Sequence, residues 1–179
     1  MRSRRTPGIG AVVLLIVAVG LLVGGGDWLG GSADDEDGTE QGPAVGEKTR
    51  AEVLRVVDGD TIEVSVDGRV EDVRYIGVDT PESVTPGEPV ECFGRRAGAF
   101  NERLVGGREV TLRFDRELRD RYGRLLAYVY VGPRLVNAEL VRRGYARTLT
   151  IPPNDSRAGL FARLEREAGQ AGRGLWGEC

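Results

Sequence analysis

The chain of 179 residues has no histidine, two cysteines and a single lysine, Lys48. Without imidazole, any general base must be a carboxylate or another group, and two thiols alone do not make a zinc site. The missing lysines leave 24 arginines to carry the positive charge. Residues 1 to 47 hold three basic and seven acidic side chains, whereas residues 48 to 179 hold 22 and 21, so the net charge of −3 belongs to the front of the chain. The rest is close to neutral. Bulk electrostatic attraction for a polyanion is therefore excluded, and any nucleic-acid chemistry must rest on a few positioned arginines.

The run from Gly8 to Gly26 lacks charge altogether. At about 1.5 Å per helical residue it reaches about 28 Å, enough to cross the hydrocarbon of a bilayer. Arg2, Arg4 and Arg5 before it and acids after it orient the terminus towards the cytoplasm and the remainder outside. Gly31-Ser32-Ala33 offers a small-residue cleavage site, while Trp28 suits an interfacial anchor, so residues 1–28 form a membrane anchor or a signal segment. Residues 29–47, rich in Gly, Asp and Glu, have little to bury and are expected to be a disordered linker. Residues 48–179 are the expected folded domain. If that domain lies outside the cytoplasm, Cys92 and Cys179 are expected to pair. Closing so long a loop contributes about 4–5 kcal/mol in the chain-entropy model.

Arg50–Val57, Thr61–Val66 and Val70–Val78 are β-rich runs separated by "DGD" and "DGR", which predicts a three-strand meander. The segment "PESVTPGEPVECFG" is too broken by proline and glycine for a regular element, and long loops of this kind are often functional. A helix over Arg95–Val105 carries Ala99, Phe100, Arg103 and Leu104 at helical spacing. Strands "REVTLRF" and "RLLAYVYV", a helix in "RLVNAELVRRG" and a last helix capped by Asn154, Asp155 or Ser156 complete the order βββ-α-ββ-α-α. Five strands with a helix between the third and fourth predict an α+β, OB-type five-stranded barrel with three helices, preceded by the transmembrane helix and linker.

"VVDGDTIEV" at Val56 to Val64 places two acids around Gly59, and "YIGVDTPES" ends the third strand in Asp79, Thr80, Pro81 and Glu82. The start of the second strand and the end of the third share one end of a meander, so Asp60 and Asp79 can converge. Two carboxylates about 4 Å apart repel by roughly 4 kcal/mol at an effective dielectric of 20. Something must neutralise them. Hard oxygen ligands without His or Cys favour calcium or magnesium, and a two-carboxylate site with open positions suits metal-assisted hydrolysis. Arg74, five residues before Asp79, and Arg124, after "DRYG", are candidates for a bidentate grip on a phosphate.

The blocks "VVDGDTIEV", "VRYIGVDTPE", "ECFGRRAGAF", "DRYGRLLAYVYV" and "LVNAELVRRGYA" resemble the staphylococcal nuclease (thermonuclease) family, in order and at family spacing, across roughly residues 50 to 177. The resemblance implies an OB-fold, calcium-dependent enzyme that cleaves DNA and RNA to leave 3′-phosphates. It further implies that Asp60, Asp79 and the Thr80 carbonyl ligate Ca2+ and that Glu82 is the general base acting through water. Arg74 and Arg124 would stabilise the transition state, and Tyr122 would lie against the nucleotide's phosphate. The expected partners are nucleic acid and, through the N-terminal helix, the membrane; the expected state is a monomer outside the cytoplasm, anchored or secreted. The chain departs from the family pattern in two places. "SVTPGEPVE" has no basic residue, and "RTLTIPPND" has no tyrosine to stack on a base. An OB-type binding module without turnover is the alternative, distinguished by an incomplete acid, base and arginine set; here all five of these side chains are present.

Overall fold

A computed structural model describes residues 44–83, 87 and 89–179. The expected transmembrane helix and nearly all of the expected linker lie outside the described residues. Among the described residues no helix is long and apolar enough to cross a membrane.

Strands β1 (Lys48–Val56), β2 (Thr61–Val66) and β3 (Arg69–Tyr75) form the predicted antiparallel meander. In β2 the alternation of apolar and polar residues puts Ile62, Val64 and Val66 inside, which is why its limits were readable. β5 (Glu109–Arg113) pairs with β1, and β6 (Leu125–Val131) pairs with β5. The parallel pairing of β3 with β6 closes the five-stranded barrel. Val53, Ile62, Val64, Val73, Leu112 and Val129 fill it.

Three helices pack outside the barrel: α1 (Gly94–Val105), α2 (Val136–Arg142) and α3 (Ala158–Gln170). The buried face of α1 is Ala97, Phe100, Asn101 and Val105, not the Ala99, Phe100, Arg103 and Leu104 face expected from spacing. A buried asparagine on the core side shifted the apparent apolar stripe. Asn154, Asp155 and Ser156 do not cap α3 with their side chains; Arg157 occupies the N-cap position. Asn154 is instead buried, its side chain accepting from the Glu117 N–H at 2.8 Å and donating to the Glu117 carbonyl at 2.8 Å.

The expected strand Val70–Val78 is broken in two. Gly77 has φ +78°, and a Cβ there would stand 2.5 Å from the Phe161 ring of α3, so only glycine lets the chain turn against that helix. Beyond the turn, β4 (Gly77–Asp79) leaves the barrel and pairs with β8 (Arg147–Leu149), Asp79 lying opposite Arg147. Asn137 of α2 locks the junction, donating to the Ile76 carbonyl at 2.9 Å and accepting from the Val129 N–H at 2.9 Å. A two-residue strand β7 (Arg134–Leu135) and a terminal turn of helix α4 (Leu175–Glu178) complete the domain, and Cys92 is bonded to Cys179 as expected.

Candidate active site

The Asp58-Gly59-Asp60 turn links β1 to β2. The Asp60 N–H donates to Asp58 Oδ1 at 2.9 Å, so the first acid shapes the turn and the second is presented at its end. Asn101 of α1 holds this turn from below, donating to the Asp58 carbonyl at 3.1 Å and accepting from the Tyr75 hydroxyl at 3.0 Å. Burial drives the pKa of that hydroxyl upward, so Tyr75 stays a neutral donor to Asn101.

Asp60 is only 4% exposed. Its Oδ2 accepts from the Thr80 N–H at 2.7 Å and the Thr80 hydroxyl at 3.0 Å, which ties the β1–β2 turn to the exit of β4. Its Oδ1 lies 3.2 Å from Arg74 Nη1. Burial pushes the Asp60 carboxyl up to about 6, with Asp58 adding to the rise and Arg74 and the Thr80 hydrogen bonds working against it. Such a group gains from a nearby cation.

Arg74 stands between the two acids. Its Nη2 donates to Asp79 Oδ1 at 2.9 Å, and its Nη1 donates to the Val78 carbonyl at 2.8 Å and the Tyr75 carbonyl at 3.1 Å. The guanidinium is thus fixed at the mouth of the barrel by acceptors on two sides, a geometry that lysine's single ammonium does not match.

Arg124 is positioned by a second acid that the sequence did not single out. Asp120 Oδ2 accepts from Arg124 Nε at 2.7 Å, and Oδ1 accepts from the backbone N–H of Tyr122 and Arg124 at 2.9 and 3.0 Å. Burial raises the Asp120 pKa, but these bonds, led by the Arg124 side chain, outweigh it and hold the carboxyl below its usual range. Tyr122, 69% exposed, stands at the tip of the turn with its ring centroid 5.4 Å from Arg124 Cζ. The placing of an acid four residues before an arginine across a "DRYG" turn was the one signal that could have identified Asp120.

Asp60, Arg74, Asp79, Thr80, Glu82 and Arg124 line one cavity of about 130 Å³, with Asp58, Thr61 and Pro81. The structure brings these six predicted residues together. Tyr122 borders instead a neighbouring cavity of about 470 Å³, which shares Arg74 and Arg124 with the first and has Leu149 and Ile151 on its far wall. Glu82 Oε1 accepts from the Ser83 N–H at 2.6 Å. Among the described residues no group of three or more His, Cys, Asp or Glu side chains is set to hold a metal. The donor set at the cavity is the carboxylates of Asp60 and Asp79 with the oxygens of Thr80, all hard, and its chemistry fits a hard divalent cation.

Residues 72–178 match the family described as staphylococcal nuclease homologue. The thermonuclease of Staphylococcus intermedius is 44% identical over 124 residues, covering 69% of this chain and 74% of the relative. That of Staphylococcus hyicus is 40% identical over 124 residues, covering 69% and 73%. Endonuclease YncB of Bacillus subtilis (strain 168) is 40% identical over 124 residues, covering 68% of this chain but 59% of the relative. A family match over residues 72–178, with relatives 40–44% identical over 124 residues, places the chain in the staphylococcal nuclease family.

Proposed function

We propose that this nuclease hydrolyses the phosphodiester bonds of DNA and RNA with calcium held by the Asp60 and Asp79 carboxylates and the Thr80 carbonyl, leaving 3′-phosphates. The observation that supports it is the convergence of these ligands with Glu82, Arg74 and Arg124 on one cavity. The bound ion would polarise a phosphate oxygen and offset its charge. Glu82 takes a proton from the attacking water, a role a carboxylate can fill at neutral pH where no imidazole exists. As the new P–O bond forms and the bond to the 5′-oxygen breaks, negative charge grows on the non-bridging oxygens. Arg74 and Arg124, already held in place by Asp79, Asp60 and Asp120, donate to those oxygens and lower the barrier. Tyr122 stands beside Arg124 to meet a phosphate of the same strand.

The near-neutral charge of residues 48 to 179 means that binding leans on these few arginines rather than on a basic field. The exposed aliphatic wall of Leu149 and Ile151 provides no aromatic face for a base, so weak base preference is expected. Location outside the cytoplasm, by an anchor or a cleaved signal in residues 1–28, agrees with the Cys92–Cys179 bond, and action as a monomer needs no residue from a second copy. Incubation of the chain with denatured DNA in calcium, then with a chelator, is the test. Fragments ending in 3′-phosphate with calcium alone support the proposal; intact DNA bound in both conditions supports an OB-type binding module instead.

A further inference from the structure

The bridge lies beside the segment that carries the proposed base. The backbone of Glu82 is held from both sides by Glu91: the Glu91 N–H donates to the Glu82 carbonyl at 2.9 Å, and the Glu82 N–H donates to Glu91 Oε2 at 2.9 Å. The start of α1 presses on the same carbonyl, since a Cβ on Gly94 would stand 2.4 Å from Glu82 O. Cys92, the residue after Glu91, is bonded to Cys179 with the Cα atoms 6.0 Å apart. Cys179 donates its N–H to the Leu175 carbonyl, and the buried Leu175 donates in turn to the Gly144 carbonyl at 2.8 Å, so the far end of the bridge is moored to the core. Arg96 pairs with Glu178 alongside.

Two further observations bear on how this segment is held. A cavity of about 340 Å³ is lined by Asp79 and Thr80 as well as by Cys92 and Cys179, and among the described residues no side chain fills the space between bridge and site. Phe93, between the bridge and α1, has φ +75°, a conformation that a bulky residue adopts only when its surroundings impose it.

Resting on the assignment of Glu82 as general base, we infer that Glu91 and the Cys92–Cys179 disulfide together position the Glu82 carboxylate, so that hydrolysis reaches full rate only when the bridge is formed. Reduction by a dithiol breaks the S–S bond, delivers two electrons and two protons to give the Cys92 and Cys179 thiols, and leaves the dithiol as a cyclic disulfide. The segment then loses its mooring, Phe93 relaxes, and Glu82 drifts from the attacking water. A chain still in a reducing compartment is held at low activity until its two thiols are oxidised.

The test compares the full chain oxidised, the same chain reduced with dithiothreitol, and the Cys92→Ser/Cys179→Ser double variant, each with denatured DNA and calcium. The expected result is a kcat about 10- to 100-fold lower without the bridge, with KM changed by less than about threefold. In hydrogen exchange, the Glu82 and Glu91 amides should lose protection on reduction while those of β2 and β6 keep theirs. In a Glu82→Gln background reduction should cause no further loss; Glu91→Ala should reproduce the loss in the oxidised chain, and Glu91→Gln, which keeps an acceptor for the Glu82 N–H, should rescue it. An unchanged kcat on reduction with Glu82→Gln inactive overturns this inference alone, as does an equal further loss in Glu82→Gln. A Glu82→Gln variant as active as the parent overturns the base assignment and this inference with it.

Discussion

Replacing Gly59 with alanine adds one methyl group to the turn that presents Asp60. The added Cβ would stand 2.6 Å from Thr80 Oγ1 and 2.7 Å from Thr80 Cβ and Cγ2, well inside contact distance. Gly59 is not in the left-handed region, so alanine suits its backbone and, taken alone, should stabilise by about 0.4–1 kcal/mol through the unfolded chain. Thr80 must therefore withdraw. Its hydroxyl and N–H both donate to Asp60 Oδ2, and each hydrogen bond to a charged group contributes about 1.5–3 kcal/mol. Loss of one bond and weakening of the other, less the gain from alanine, leaves a net destabilisation of about 2–4 kcal/mol. Urea denaturation followed by circular dichroism measures it as a lower midpoint at unchanged slope. Gly98→Ala is the control from the facing helix, where a Cβ would meet nothing closer than 3.9 Å; it should stabilise by about 1 kcal/mol as an ordinary helix substitution. Cleavage by Gly59→Ala should fall as well, since Thr80 belongs to the proposed ligand set. A Gly59→Ala chain as stable and as active as the parent would refute the reasoning that this glycine exists to let Thr80 reach Asp60.

Arg124→Ala should lower kcat about 100- to 1000-fold with little change in KM, read from steady-state cleavage of an oligonucleotide, because its grip strengthens as charge develops; equal losses in both would contradict that role. Asn137→Ala removes the partner of the buried Val129 N–H and Ile76 carbonyl, and urea denaturation should show a loss of about 2–5 kcal/mol. Glu71 is held below its ordinary value of 4.5 chiefly by hydrogen bonds from Arg119, which reach its two oxygens at 2.8 Å each. A depressed folded pKa contributes stability above the unfolded value that is lost as pH falls through the folded one. Glu71→Gln should thus cost about 1 kcal/mol or less at neutral pH, the pair being partly exposed, and nothing in strong acid, as measured by thermal melts across pH.

The barrel was legible in the sequence where side chains alternate between a wet and a dry face, as in β2, and where "DG" pairs turn the chain. The break between β3 and β4 was not, because its cause is a contact between Gly77 and Phe161 of a helix far along the chain. The site showed a similar division. Asp60 and Asp79 could be brought together from strand order alone, and Arg74 follows because it pairs in register with Thr61, the residue after Asp60. What stayed hidden is the layer behind them. Asn101, Asn137 and Asn154 are buried amides that look like surface or capping residues in sequence, yet each holds a backbone segment that lines one of the two cavities. Asp120 was masked by the many acids of "DRELRDRYG", only one of which turns back on Arg124.

A calorimetric titration of the full chain with calcium, repeated on Asp60→Asn and Asp79→Asn, bears most directly on the proposal that the acids at 60 and 79 share one ion. One calcium per parent chain, with binding lost or sharply weakened in each variant, is the predicted result. Binding of equal strength in all three chains would contradict it.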